Sequence, residues 1–390
     1  MVSLLARIFI KDSEDISNPK IRRAYGMLCS IVGIMLNVFL FVGKYAAGII
    51  SGSIAITADA FNNLSDAGSS FVTLVGFKMA GKKADATHPF GHGRIEYISG
   101  LVVSIAIILM GFELLKTSVD KLLHPVNVKS DTLAIIILII SICVKIYMFA
   151  YNTMVGKKIS SGAMKATALD SLSDSVATTV VLISMLVLYF SHVNIDGIGG
   201  IAVALFILWT GCNSAKDTLS PLLGQAPDEE FVRSVEKIVL EHKEILGIHD
   251  LIVHDYGPGR IFVSLHGEVN GDDDIYMIHD VIDNIEHELF EELSCEAVIH
   301  MDPIAVNDEL VSRTKEIVVS LVKEIDSRFT IHDFRMVAGP SHTNLIFDVV
   351  TPYENVKTDK EIENDIVNAI KGRWDNYYPV IKIDKAYAKK

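Results

Sequence analysis

Two stretches of the sequence place carboxylates among apolar residues in the same pattern. Thr57-Ala-Asp-Ala-Phe-Asn62-Asn-Leu-Ser-Asp66 and Lys165-Ala-Thr-Ala-Leu-Asp170-Ser-Leu-Ser-Asp174 match at a constant offset, pairing Asn62 with Asp170 and Asp66 with Asp174. Within each stretch the paired side chains lie four residues apart, which on a helix puts them on one face about 5 to 6 Å from each other. Two such faces opposed supply four oxygen ligands, the chemistry of a divalent cation site. A charge held at mid-bilayer costs at least ~2.5 kcal/mol, so acids kept there mark an ion or proton path more readily than packing. A divalent ion neutralises them, and its departure leaves them to protons. That exchange is a transport mechanism. Asp59, one turn before Asn62, reads as a supporting or access residue.

Two further constellations contain histidine. Asp85-Ala-Thr-His88-Pro-Phe-Gly-His92 offers three ligands at short spacing, although its Gly and Pro also suit a simple turn with the histidines capping helix ends. Toward the C-terminus stand His249, His266, His279, His300 and Asp302, scattered too widely along the chain to define a site by spacing alone. His242, His254 and His287 read as surface residues. The four cysteines form no CxxC pair and indicate neither a disulfide framework nor a thiolate site.

Positioning the acids requires membrane-spanning helices. Half of the 390 residues are hydrophobic, more than a soluble chain of this length needs. Six runs approach the roughly 20 residues that cross a bilayer: Tyr25 to Ile49, Ser53 to Ala80, Ile95 to Leu115, Thr132 to Val155, Ala163 to Tyr189 and Ile195 to Cys212. Lys20, Arg22 and Arg23, then Lys82, Lys83 and Arg94, then Lys157, Lys158 and Lys165 flank alternate ends, which predicts cytoplasmic termini by the positive-inside bias. Lys116, Lys121 and Lys129 weaken the contrast at one outward loop. No cleavage pattern follows the N-terminal apolar stretch, so no removable signal peptide is expected. The net charge of −13 is concentrated beyond the spans, with 20 acidic residues against 4 basic ones between Pro227 and Ile304. There, period-two alternation and helical stretches run in the order α-β-β-α-β.

With these residues in view, the chain resembles the cation diffusion facilitators over Ile21 to Pro303. The resemblance implies an α-helical membrane protein with six transmembrane helices followed by an α+β ferredoxin-like cytoplasmic domain, and a proton-coupled exporter of divalent metal that works as a homodimer in the plasma membrane. It implies a transport site at Asn62, Asp66, Asp170 and Asp174, a loop site at Asp85, His88 and His92, and a cytoplasmic regulatory site at His249, His266, His279, His300 and Asp302. Zinc-transporting members use at least one His among the four transport residues. This chain uses none. Oxygen-only ligation suits Mn2+ better than Zn2+, and an Asn-Asp-Asp-Asp set resembles the manganese-exporting bacterial branch. Mg2+ sheds its water reluctantly, and Zn2+, Fe2+ and Co2+ remain alternatives. Lipid is the expected surrounding, and nucleic acid is not an expected partner.

An internal repeat extends the reading past Pro303. Ile331-His-Asp-Phe echoes Ile248-His-Asp-Leu, and Pro379-Val-Ile-Lys-Ile-Asp384 echoes Ala297-Val-Ile-His-Met-Asp302. The domains expected are an N-terminal cytoplasmic segment at 1–20, the membrane domain at 21–215, the metal-binding module at 228–304 and a second ferredoxin-like module at 307–390. His332 keeps the first ligand place of the repeat, but Asp348, Glu361 and Lys382 stand where the first copy has His266, His279 and His300. An ammonium has no lone pair to donate, so the second copy is expected to be mostly structural, enlarging a dimer contact or covering the first module. A membrane-anchored metal sensor and a metalloenzyme are the alternatives from other classes. No HExxH, nucleophile elbow or phosphate loop supports the enzyme.

Overall fold

In lipid a backbone must satisfy its own hydrogen bonds, so long apolar runs fold as helices. The computed structural model describes residues 2–10, 14, 18–51, 54–123, 132–191, 196–339, 341–354 and 356–385. It shows a short N-terminal helix, α1 (Val2–Phe9), and six long ones: α2 (Pro19–Ser51), α3 (Ile54–Ala80), α4 (Ile95–Leu123), α5 (Thr132–Lys158), α6 (Gly162–Ser191) and α7 (Asp196–Leu219). The sequence reading expects six spans. Among the described residues, five of the helices (α2, α4, α5, α6 and α7) are long and apolar enough to cross a membrane. α3 has the length, but Asn62, Asn63, Ser65, Asp66, Ser69 and Ser70 lower its apolarity. The same polar face makes it interesting chemically.

The closest helix pairs are α2 with α3, α4 with α7 and α5 with α6. Small residues let α4 and α7 approach, as is usual where lipid supplies no hydrophobic drive between helices. A Cβ on Gly200 would sit 2.2 Å from Ser118 Oγ, and one on Gly211 would sit 2.8 Å from Ile108. Ser104 and Ser214 share a hydrogen bond of 2.8 Å across the same pair. The outward surface is apolar, with Met35, Phe39, Leu109 and Trp209 exposed.

A buried ion pair fastens one end of the bundle. Arg22 at the start of α2 donates from Nη1 and Nη2 to both oxygens of Glu96 on α4, at 2.6 and 2.8 Å, and from Nε to the Ile159 carbonyl at 2.7 Å. The Glu96 side chain is 2% exposed. Arg22→Ala strands that carboxylate, and the expected cost is about 3 to 5 kcal/mol, read as a lower unfolding midpoint of the detergent-solubilised protein. An unchanged midpoint would show that the pair contributes nothing.

The C-terminal unit contains two copies of one topology. In the first, α8 (Glu229–Glu241) precedes β1 (Ile245–Asp255) and β2 (Ile261–Asn270), followed by α9 (Ile275–Leu293) and β3 (Cys295–Ile304). The second repeats this order as α10 (Glu309–Ile325), β4 (Thr330–Ala338), β5 (Thr343–Thr351), α11 (Asp359–Arg373) and β6 (Tyr377–Lys385). In each sheet the middle strand pairs antiparallel with the first and parallel with the third. Side-chain oxygens of Asp228, Asp274, Asp308 and Thr358 cap the four helices. Helix stripes such as Ile278, Ile282, Ile285 and Leu289 pack on the inner faces of the strands to form two separate cores.

Candidate metal centre

α3 and α6 bring their acids together. Asp66, Asp170 and Asp174 each present an oxygen within 4.8 Å of the others. Asp66 and Asp170 are buried, Asp174 partly so. Oδ1 of Asp170 is buried without a hydrogen-bond partner. Lys145 on α5 reaches into this group. Its Nζ donates to Asp66 Oδ2 at 2.6 Å, to Asp174 Oδ2 at 2.7 Å and to Oδ1 of Asn37 on α2 at 3.0 Å. Three carboxylates in so dry a place demand positive charge, and the ammonium supplies only part of it.

The arrangement departs from the sequence-based set at Asn62 and by two added residues. Asn62 is exposed and makes none of the described contacts with the carboxylates. The Asp59 side chain lies outside the described residues. Lys145 and Asn37, which are 2% and 1% exposed, are missing from the sequence-based set. An ionisable residue in the middle of an apolar run was the available signal for Lys145. Asn37 carried none, because a single amide in a span is ordinary.

In the loop between α3 and α4, Asp85, His88 and His92 also offer ligand atoms within 4.8 Å of one another. Both histidine rings approach Asp85 at 3.6 Å. The carboxylate is already engaged, accepting from Lys82 Nζ at 2.9 Å, Thr87 Oγ1 at 2.7 Å and the His88 backbone N–H at 2.9 Å. These bonds, led by Lys82, hold its pKa below the usual carboxylate range. The loop is a turn shaped by Asp85 in which three side chains that could hold a metal ion lie close together.

In the C-terminal unit, register aligns His249 on β1 with His266 on β2 and His266 with His300 on β3. Asp302 Oδ2 lies 2.9 Å from both His249 Nε2 and His266 Nδ1, and its Oδ1 lies 3.3 Å from His300 Nε2. His279 stands apart from this group. It is one position off the buried stripe of α9, so it is exposed and meets Asp283 at 3.3 Å. His242 pairs with Glu288 at 3.0 Å, while His254 and His287 are exposed.

The second copy keeps the frame and changes the charge. His332 aligns with Asp348 and Asp348 with Lys382. The Lys382 ammonium sits 2.8 Å from Asp384 and 3.7 Å from Asp348, so it does not merely repel a cation but takes its place. Its bond to Asp384 raises the pKa of Lys382, and burial raises that of Asp348. Glu361, at the repeat position of His279, closes a capping box with Thr358.

Residues 30–223 match the model of the cation efflux transmembrane domain, and residues 227–304 that of the cation efflux protein cytoplasmic domain. The uncharacterized transporter MJ0449 of Methanocaldococcus jannaschii is 31% identical over 277 residues, which cover 71% of this chain and 96% of that protein. The chain belongs to the cation diffusion facilitator family. The cation-efflux pumps FieF of Escherichia fergusonii and Escherichia coli K12 are each 26% identical over 290 residues, covering 73% of this chain and 96% of theirs. As a cation diffusion facilitator this protein is a membrane-embedded cation efflux transporter of divalent metals and not an enzyme. Both family matches end by residue 304, so the second α-β-β-α-β copy lies beyond them.

Proposed function

We propose that the protein is a proton-coupled antiporter that exports divalent cations from the cytoplasm, with Mn2+ as its main cargo. The observation that carries this reading is the convergence of Asp66, Asp170 and Asp174 inside an apolar bundle, with only oxygen atoms on offer. Oxygen-only sites favour harder ions such as Mn2+ over Zn2+, which prefers nitrogen and sulfur. Carboxylates that lose a cation accept protons, which supplies the coupling. Asn62, one turn from Asp66 on the same face, contributes the fourth oxygen when α3 turns. In this proposal α3 is the sixth span, both termini are cytoplasmic, and two copies associate in the plasma membrane. The segments 1–20, 21–215, 228–304 and 307–390 serve as N-terminal segment, membrane domain, metal-binding module and structural module. Metal at Asp85, His88 and His92, and at His249, His266, His300 and Asp302, adjusts activity by neutralising acidic surfaces.

The test is uptake into proteoliposomes under an imposed pH gradient, comparing Mn2+, Zn2+, Fe2+ and Co2+. Gradient-dependent Mn2+ flux exceeding that of Zn2+ is expected. Zinc flux without manganese flux would overturn the ion assignment, and flux indifferent to the gradient would overturn the coupling.

A further inference from the structure

The two C-terminal copies meet at equivalent histidines. His249 on β1 and His332 on β4 occupy the same place in the two repeats, and their rings stack with centroids 4.2 Å apart and planes 27° from parallel. Both side chains are 8% exposed; His249 Nε2 lies 2.9 Å from Asp302, but His249 Nδ1 and both nitrogens of His332 are buried without a hydrogen-bond partner. Buried polar atoms are costly to leave unmet, so three in one place call for a ligand.

Asp250 completes the group. Its Oδ2 lies 3.7 Å from His249 Nδ1, and its Oδ1 lies 3.7 Å from His332 Nε2. Those separations are too long for hydrogen bonds, but they approach the roughly 3.4 Å between ligand atoms that share a tetrahedral ion with bonds of about 2.0 to 2.2 Å. The backbone aims the carboxylate deliberately. Asp250 has a φ of 50°, in the left-handed region, within the irregularity that shifts the register of β1 against β2. Asp333 has the same conformation in β4, with a φ of 53°, but its carboxylate is taken by Arg335 at 2.9 Å. The pseudo-symmetry is therefore broken in charge. On one side an arginine neutralises the aspartate, and on the other the aspartate faces two buried imidazoles.

We propose that His249, Asp250 and His332 form a metal site joining the two modules, built for a d-block divalent cation that accepts nitrogen ligands, such as Zn2+ or Co2+. Two imidazoles and one carboxylate with a place left for water match that preference and differ from the oxygen-only group between α3 and α6. When His249 gives Nδ1 to this ion, its Nε2–H points to Asp302, 2.9 Å away, as a metal-bound imidazole usually donates to an outer carboxylate. This assignment takes His249 out of the cytoplasmic group proposed above and leaves His266, His300 and Asp302 for that separate ion. The second module's own group needs no ion, since Lys382 already supplies the charge.

The experiment uses the full chain in detergent, stripped of metal and carrying Asp170→Asn to silence the membrane carboxylates. Co2+ is the probe, counted by equilibrium dialysis and followed by its visible absorption. His332→Gln and Asp250→Asn are each expected to lose one Co2+ per chain with its tetrahedral band, while His266→Ala keeps that ion. Asp250 is partly exposed, so Asp250→Asn reports even if His332→Gln fails to fold. Unchanged Co2+ stoichiometry and spectrum in Asp250→Asn would overturn the proposal, as would loss of the tetrahedral band in His266→Ala alone.

Discussion

Replacing Asp170 with asparagine is expected to lower metal flux by at least about 100-fold, because removing one partner from a buried charged group costs about 3 to 5 kcal/mol. The substitution keeps volume and shape. It removes the carboxylate whose Oδ1 is buried without a partner, and thus the charge least satisfied by the protein itself. Asp66 and Asp174 retain Lys145, so the bundle is expected to keep its unfolding midpoint. Reconstituted Asp170→Asn with an unchanged midpoint and near-normal Mn2+ flux would remove Asp170 from the transport site.

Much of this site was legible in the sequence because its spacing is a local property. The four-residue intervals of Asn62 and Asp66 and of Asp170 and Asp174 fix one face per helix wherever the helices go. Rotation of that face toward the other helix is a tertiary fact, and here Asp66 joins the cluster while Asn62 is exposed. Lys145 escaped for a related reason. Read alone, a lysine in an apolar run is an irregularity, and only the placement of α5 beside α2, α3 and α6 reveals three oxygen partners. The tail was legible as a repeat, since Ile331 to Asp333 echo Ile248 to Asp250. Its consequence was not. Stacking of His249 on His332 depends on docking between modules, which no periodicity encodes.

Lys145 changes what the membrane site must do. Its ammonium lies within 2.7 Å of oxygens on two of the three acids, so an incoming ion competes with a cation that never leaves the protein. A hydrogen bond to a charged group contributes about 1.5 to 3 kcal/mol, and displacing it therefore weakens apparent metal affinity by roughly 10- to 100-fold. Lys145→Met is expected to lower the apparent KM for Mn2+ by at least about tenfold on the same arithmetic. It is also expected to lower maximal flux, because the bound ion then has no tethered competitor to help it leave. Lys145→Arg keeps the charge and should preserve a high KM. The split between KM and maximal flux separates this role from a structural one. If Lys145 only held the helices together, Lys145→Met would reduce flux in proportion to folded protein and leave KM where it was, and the site would be a simple trap for cations. A lower KM with slower turnover makes it instead a site whose emptied state is built into the chain.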